Sequence, residues 1–242
     1  MAELGRYRSK EEKQFFIERK NVLSSLDSEF VANNPFLFSH RAIISDMLAR
    51  TKLYNKIINV SGAVIECGVA NGNSIMLYAY LSELLEPFAI NRKIIGFDTF
   101  EGFQSISKDK DPKDISTEDF SGSKYEILNQ AIDLYDMKRP LSHMERIEIV
   151  KGNAVETIPE YINTHPELTC ALLYLDFDIY KPTKVALEAF LPLLTKGGIV
   201  AFDEFNYNKF SGETLAAKEI LKINEREFKR FSFAPFIAYF EI

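Results

Sequence analysis

At 242 residues and 46% hydrophobic content, the chain is long enough for one large α/β domain with a full core. A net charge of -6 argues against the clustered basic surface that nucleic acid requires, and no apolar run of membrane-spanning length or signal-peptide pattern occurs, so a cytoplasmic protein is expected. The two cysteines, Cys67 and Cys170, fall inside strand-like runs, which fits buried thiols in a reducing compartment and excludes a cysteine-built zinc site.

Residues Ser9–Ser28 read as a charged helix with Phe15, Val22 and Leu26 on one stripe. After Asn33-Asn34-Pro35, Ser39 can cap a second helix, whose Ile43, Met47, Tyr54 and Ile58 recur near helical period up to Ser61-Gly62. His40 and Arg41 open it, as a solvated first turn or as a substrate contact. Residues 1–60 are thus expected to form a helical extension packed on a core of residues 61–242.

The core opens with Ala63-Val-Ile-Glu-Cys-Gly-Val-Ala-Asn-Gly-Asn-Ser74, a strand followed by a glycine loop and a helix over Ile75–Leu85. Gly68 and Gly72 can take positive φ or let a ligand approach, and Asn73 or Ser74 can cap the helix. A helix start aims unpaired N–H groups into the crevice above the strand. Glu66 would repel a pyrophosphate but accept hydrogen bonds from an ammonium, so the loop suits a cationic or zwitterionic cofactor.

A second strand, Lys93–Asp98, ends in the acid that a doubly wound fold uses to hold ribose hydroxyls, although a turn role for Asp98 is equally open. Residues of about 101–145 form an insertion, a lid or a mobile loop over Ser107–Asp119, then a helix near Lys124–Met137. Strand three is Arg146–Lys151, closed by a turn at Gly152-Asn153 that could face a base. Cys170–Asp176 is strand four, with Pro182 opening a helix over Thr183–Leu194, and Gly197–Glu204 is strand five. A helix near Glu213–Asn224 and an antiparallel pair, Phe228–Phe233 and Ile237–Ile242, complete the chain.

Strands four and five therefore end in Asp176/Asp178 and Asp203/Glu204, on the edge where open α/β sheets bind ligands. Hard oxygen donors without matching His or Cys suit Mg²⁺, Ca²⁺ or Mn²⁺; the competing reading is that these acids cap helices or pair with Lys181 and Lys209.

Three segments, Gly62–Ser74, Phe97-Asp-Thr-Phe-Glu-Gly102, and Leu173–Thr183 with Gly197–Glu204, resemble class I S-adenosylmethionine-dependent methyltransferases, specifically the macrocin O-methyltransferase family that acts on sugars. The resemblance covers roughly residues 40–225. It implies a Rossmann-like, mostly parallel seven-stranded sheet with a C-terminal antiparallel pair and helices on both faces. It implies S-adenosyl-L-methionine held by Glu66, Gly68, Gly72, Asn73 and Ser74, with Asp98 on the ribose, Asn153 near the adenine, and Asp176 beside the cofactor. A divalent metal, Mg²⁺ first, would sit on Asp176, Asp203 and Glu204, the last standing where members more often carry a second Asp. Asp176 or Asp178 would take the acceptor's proton, with His143 a remoter candidate. The implied acceptor is a sugar, nucleotide-linked or part of a finished glycan, and a homo-oligomer is expected. Two other readings stay open: an NAD-type oxidoreductase, disfavoured by Glu66 and the missing third glycine, and a non-catalytic module of the same fold.

Overall fold

Alternation along the strands sets the architecture. In a computed structural model, which describes residues 9–242, side chains at successive strand positions feed two separate cores. Val64, Ile94, Leu172 and Ile199 pack with helices α3 (Arg41–Ile57), α4 (Asn73–Leu85) and α5 (Tyr125–Asp136). Ile65, Phe97, Leu173 and Phe202 pack with α6 (Ala154–Thr164), α7 (Tyr180–Phe190) and α8 (Gly212–Ile220). The strands Ala63–Cys67 and Cys170–Leu175 are buried on both faces, which is why they read as nearly continuous apolar runs.

The seven strands are β1 (Ala63–Cys67), β2 (Ile94–Asp98), β3 (Ile147–Lys151), β4 (Cys170–Leu175), β5 (Leu194–Phe202), β6 (Lys229–Phe231) and β7 (Ala234–Glu241), in spatial order β3-β2-β1-β4-β5-β7-β6. The first five are parallel; β7 runs antiparallel between β5 and β6. The order reverses direction at β1/β4, so the crevice lies above those two strands.

The chain divides into two compact units between Asp46 and Met47, inside α3. In the first, the expected helix over Ser9–Ser28 is α1 (Lys10–Ser24), closed at its start by a Ser9/Glu12 capping box, and Asp27 caps a separate α2 (Ser28–Asn33). His40 packs edge-on against Phe16 at 5.3 Å.

Several boundaries differ from expectation. Neither Asn73 nor Ser74 caps α4: Gly72 occupies the cap position at φ 80, and Asn73 is already helical. The helix carrying Pro182 begins earlier, at Tyr180, and stops at Phe190, because Pro192 removes a backbone donor and the chain passes through a short 3₁₀ turn, Leu191–Leu193, into β5. Helix α6 has no counterpart in the sequence reading. Asn153, read as a turn, caps it by accepting the Val155 N–H at 3.3 Å, and Pro159 inside the helix masks its period. No helix among the described residues is long and apolar enough to cross a membrane.

Candidate active site

Strand parity places Glu66, Tyr174, Asp176 and Asp203 toward α3, since Glu66 is in register with Tyr174 and Tyr174 with Ala201. There they meet Arg50. Its Nη1 donates to Glu66 Oε1 at 2.6 Å, and its Nη2 donates to Asp176 Oδ2 at 2.9 Å while lying 3.8 Å from Asp203 Oδ1. The guanidinium carbon stands 3.7 Å from the centre of the Tyr174 ring, whose hydroxyl donates to Asp203 Oδ1 at 2.6 Å. One buried cation thus joins the ends of β1 and β4 and reaches toward that of β5. Sequence reasoning missed Arg50, although it lies three residues after Met47 and four before Tyr54, on the apolar stripe of α3.

The glycine loop is shaped by packing. Gly68, at φ 101, has no room for a side chain: a Cβ there would fall 1.9 Å from the Asp176 carbonyl oxygen. Asp98 ties the loop down, its Oδ2 accepting the N–H groups of Val69 at 2.7 Å and Ala70 at 2.8 Å, its Oδ1 that of Phe100 at 2.6 Å. The turn role and the ligand-facing position coincide, because Asp98 also borders the cleft.

That cleft measures about 680 Å³ out to its open mouth. Of the residues singled out from the sequence, Gly68, Asp98, Asn153, Asp176 and Asp178 line it. Glu66, Gly72, Asn73, Ser74, Asp203 and Glu204 do not; Glu66 is fully buried beneath it, its carboxylate on Arg50. The insertion supplies one wall through Gly102, Phe103, Gln104, Phe120 and Ser123. It is held there by Asp111, buried in the charged run that sequence alone leaves as lid or mobile loop. Asp111 accepts the N–H groups of Ser107 and Tyr180, both at 2.7 Å, so the insertion is fastened to the first residue of α7.

The acid-bearing loops converge on a residue that the motifs did not single out, Glu213 of α8. Its Oε1 accepts the Asp178 N–H and its Oε2 the Glu204 N–H, each at 3.2 Å. One carboxylate oxygen from each of Asp176, Asp178 and Glu213 lies within 4.8 Å of the others. Burial, reinforced by Asp203, pushes the Asp176 carboxyl well above its ordinary range against the pull of Arg50. Burial raises Glu213 likewise, with Asp178 and Asp203 adding to it. Glu204 is pushed up to about 9 by burial and then by Asp203 and Asp178, with Lys209 opposing. Its Oε2 is buried without a hydrogen-bond partner. The edge holds more carboxylate than its own cations balance.

The family model described as macrocin-O-methyltransferase (TylF) matches residues 47–224. The chain belongs to this family. It is therefore an S-adenosylmethionine-dependent O-methyltransferase, which ends the oxidoreductase and non-catalytic readings. Among solved structures, a calicheamicin methyltransferase, CalS11, superposes with TM-score 0.90 at 32% identity, covering 97% of this chain and 94% of that one. The apo structure of CalS11, described as a TDP-rhamnose 3'-O-methyltransferase, gives TM-score 0.84 at 30% identity over 97% of this chain and 96% of that one. The O-methyltransferase NovP shares the fold at TM-score 0.66 and 20% identity, over 82% of this chain and 79% of that one. No curated protein matches the chain in a sequence search.

Proposed function

We propose that this enzyme methylates a hydroxyl of a sugar, carried on a nucleotide or on a larger natural product, with the help of a divalent cation. The observation that carries the reading is the joining of a cofactor cleft to a partly buried acid cluster along one sheet edge. The similarity to CalS11, over nearly the whole of both chains, supports the sugar acceptor.

Each part of the site has a role in this chemistry. Asp98 and Asn153, both of which line the cleft, would hold the ribose and adenine of the cofactor, and the acid-rich floor favours a positive sulfonium over an anionic group. When bound, S-adenosylmethionine would supply the methyl group, which the acceptor oxygen would take with release of S-adenosylhomocysteine. Asp178, which lines the cleft, takes the proton that the hydroxyl releases. Arg50 orients Asp176 through a hydrogen bond to its Oδ2 and opposes, without overcoming, the rise that burial imposes on that carboxyl.

The donor set fits a hard cation. Asp176, Asp203 and Glu204 offer oxygen only; of these Asp176 alone belongs to the group whose oxygens converge, with Asp178 and Glu213, while the orphaned Glu204 Oε2 and the raised Glu204 and Asp176 carboxyls fit an edge short of positive charge. Glu213 is a poorer candidate, because both its oxygens already accept backbone N–H groups. A divalent cation on these acids would lower the pKa of a coordinated hydroxyl. The deciding experiment incubates the enzyme with S-adenosylmethionine and a panel of thymidine-diphosphate-linked deoxysugars, with Mg²⁺ or with chelator. Gain of one methyl group by a sugar, lost on chelation, is expected; methyl transfer only to non-sugar hydroxyls would overturn the acceptor assignment.

A further inference from the structure

We infer that Gly212-Glu213-Thr214, the start of α8, is a clamp that sets the spacing of the two acid-bearing loops, with Glu213 as its positioning residue. The inference rests on the metal-assisted reading above and extends it to residues whose side-chain oxygens are engaged by backbone N–H groups of the acid-bearing loops.

Contacts at three consecutive residues carry it. Glu213 is fully buried and bonds one loop with each carboxylate oxygen, Asp178 N–H on the β4 side and Glu204 N–H on the β5 side. Thr214 extends the grip on the β5 side, its Oγ1 accepting the Asn206 N–H at 2.8 Å. Gly212 allows α8 to come this close: a Cβ there would fall 2.4 Å from the Tyr180 nitrogen and 2.5 Å from the Ile179 carbonyl carbon. The two held residues Asp178 and Asn206 lie at φ 62 and φ 59, a left-handed conformation uncommon outside glycine that Asp and Asn adopt more readily than other side chains. A buried carboxylate between other carboxylates is costly, and an apolar residue of similar size would fill the space without that cost. What the apolar residue cannot do is hold two N–H groups of different loops at one fixed distance.

Partners behind metal-ligating groups orient those groups, and their loss typically weakens metal binding by about 10- to 100-fold. The test uses Glu213→Gln, which keeps one acceptor and turns an amide N–H₂ toward the other donor, and Glu213→Ala, which removes both. Two readouts are taken: amide hydrogen exchange at Asp178 and Glu204, and Mn²⁺ affinity by electron paramagnetic resonance. S-adenosylhomocysteine affinity by calorimetry serves as the control. Glu213→Gln is expected to exchange at least about tenfold faster at one of the two amides and to bind Mn²⁺ about 10- to 100-fold more weakly, with Glu213→Ala worse and S-adenosylhomocysteine binding unchanged. Unaltered protection at both amides with unaltered Mn²⁺ affinity would overturn the inference. If the wild-type enzyme binds no Mn²⁺, the metal reading falls, and the clamp stands or falls on the exchange rates alone. Should the Glu213 variants fail to fold, Thr214→Val replaces them: faster exchange at Asn206 and weaker Mn²⁺ binding support the clamp, and no change in either overturns it.

Discussion

Arg50 Nη1 and Glu66 Oε1 lie 2.6 Å apart, and both side chains are almost wholly withdrawn from solvent. The pair spans the start of the domain: Arg50 stands on α3, Glu66 at the end of β1. Because the same guanidinium also holds Asp176, it links the floor of the cofactor cleft to the acid cluster. A buried ion pair is weak evidence for net stability, but removing one partner strands the other.

Arg50→Ala is therefore expected to destabilise the protein by about 3–5 kcal/mol, since it leaves Glu66 buried without its cation. Arg50→Lys keeps the charge and loses the fork that reaches two carboxylates at once, so it should recover part of the stability and little of the activity. Denaturant unfolding with parallel methyl-transfer assays checks both. A fully active Arg50→Ala enzyme would mean that the acids are ordered by something else.

The contrast between Arg50 and the glycine loop shows what was legible beforehand. The loop, Asp98 and the strand-end acids announce themselves because each sits within a short segment whose pattern names its place: an apolar run, then a glycine or an acid. Arg50, Asp111 and Glu213 do their work across the fold, on partners such as Asp176, Tyr180 and Asp178 that are distant in sequence, and no local spacing encodes those pairs. Arg50 alone left a trace, as a charge on an apolar stripe. Helix α6 was hidden for a different reason, a proline at a position where propensity argues for a break but packing of Ile158 and Tyr161 on the sheet overrides it.

Asp98 is expected to act on the cofactor in two ways, as a ligand and as the anchor of the loop. Asp98→Ala removes the acceptor of three backbone N–H groups, each bond to a charged group being worth about 1.5–3 kcal/mol. Asp98→Asn keeps one acceptor oxygen and opposes the other donors with an N–H₂. Calorimetry with S-adenosylhomocysteine should show at least about tenfold weaker binding for Asp98→Asn, a loss of 1.4 kcal/mol or more, and Asp98→Ala should in addition melt earlier. Unchanged affinity in a well-folded Asp98→Asn protein would remove Asp98 from the cofactor site.

Asp111 fastens the insertion to α7, and its loss should loosen the cleft wall without disturbing the sheet. Asp111→Ala is expected to raise proteolytic cleavage within residues 102–123 and to weaken acceptor binding through the wall residues Phe103 and Phe120, while the main unfolding transition shifts little. Limited proteolysis followed by mass spectrometry checks the first effect, and the KM of the acceptor the second. Cleavage at the wild-type rate would show that other contacts hold the insertion.

Glu204 gives the site a pH signature. Its carboxyl is raised from an ordinary 4.5 to about 9, burial first and Asp203 next, so the folded protein keeps a proton that the unfolded chain releases. The resulting contribution to stability is complete below the ordinary value and is lost as pH rises through about 9. Metal-free enzyme is therefore expected to melt at progressively lower temperature as pH is raised across that window. A cation bound by Glu204 favours the ionised carboxylate and reverses the sign, because protons and metal compete for the same oxygens. Mg²⁺ should thus raise the melting temperature more at pH near 9 than at pH near 6, and Glu204→Gln should make the metal-free profile shallower, the raised Asp176 and Glu213 carboxyls supplying the rest of its slope, and reduce the pH dependence of the Mg²⁺ effect. Scanning calorimetry over that range, with and without chelator, decides it. A metal-free profile that stays flat in the wild type would show that Glu204 is not the buried, raised carboxyl its surroundings make it.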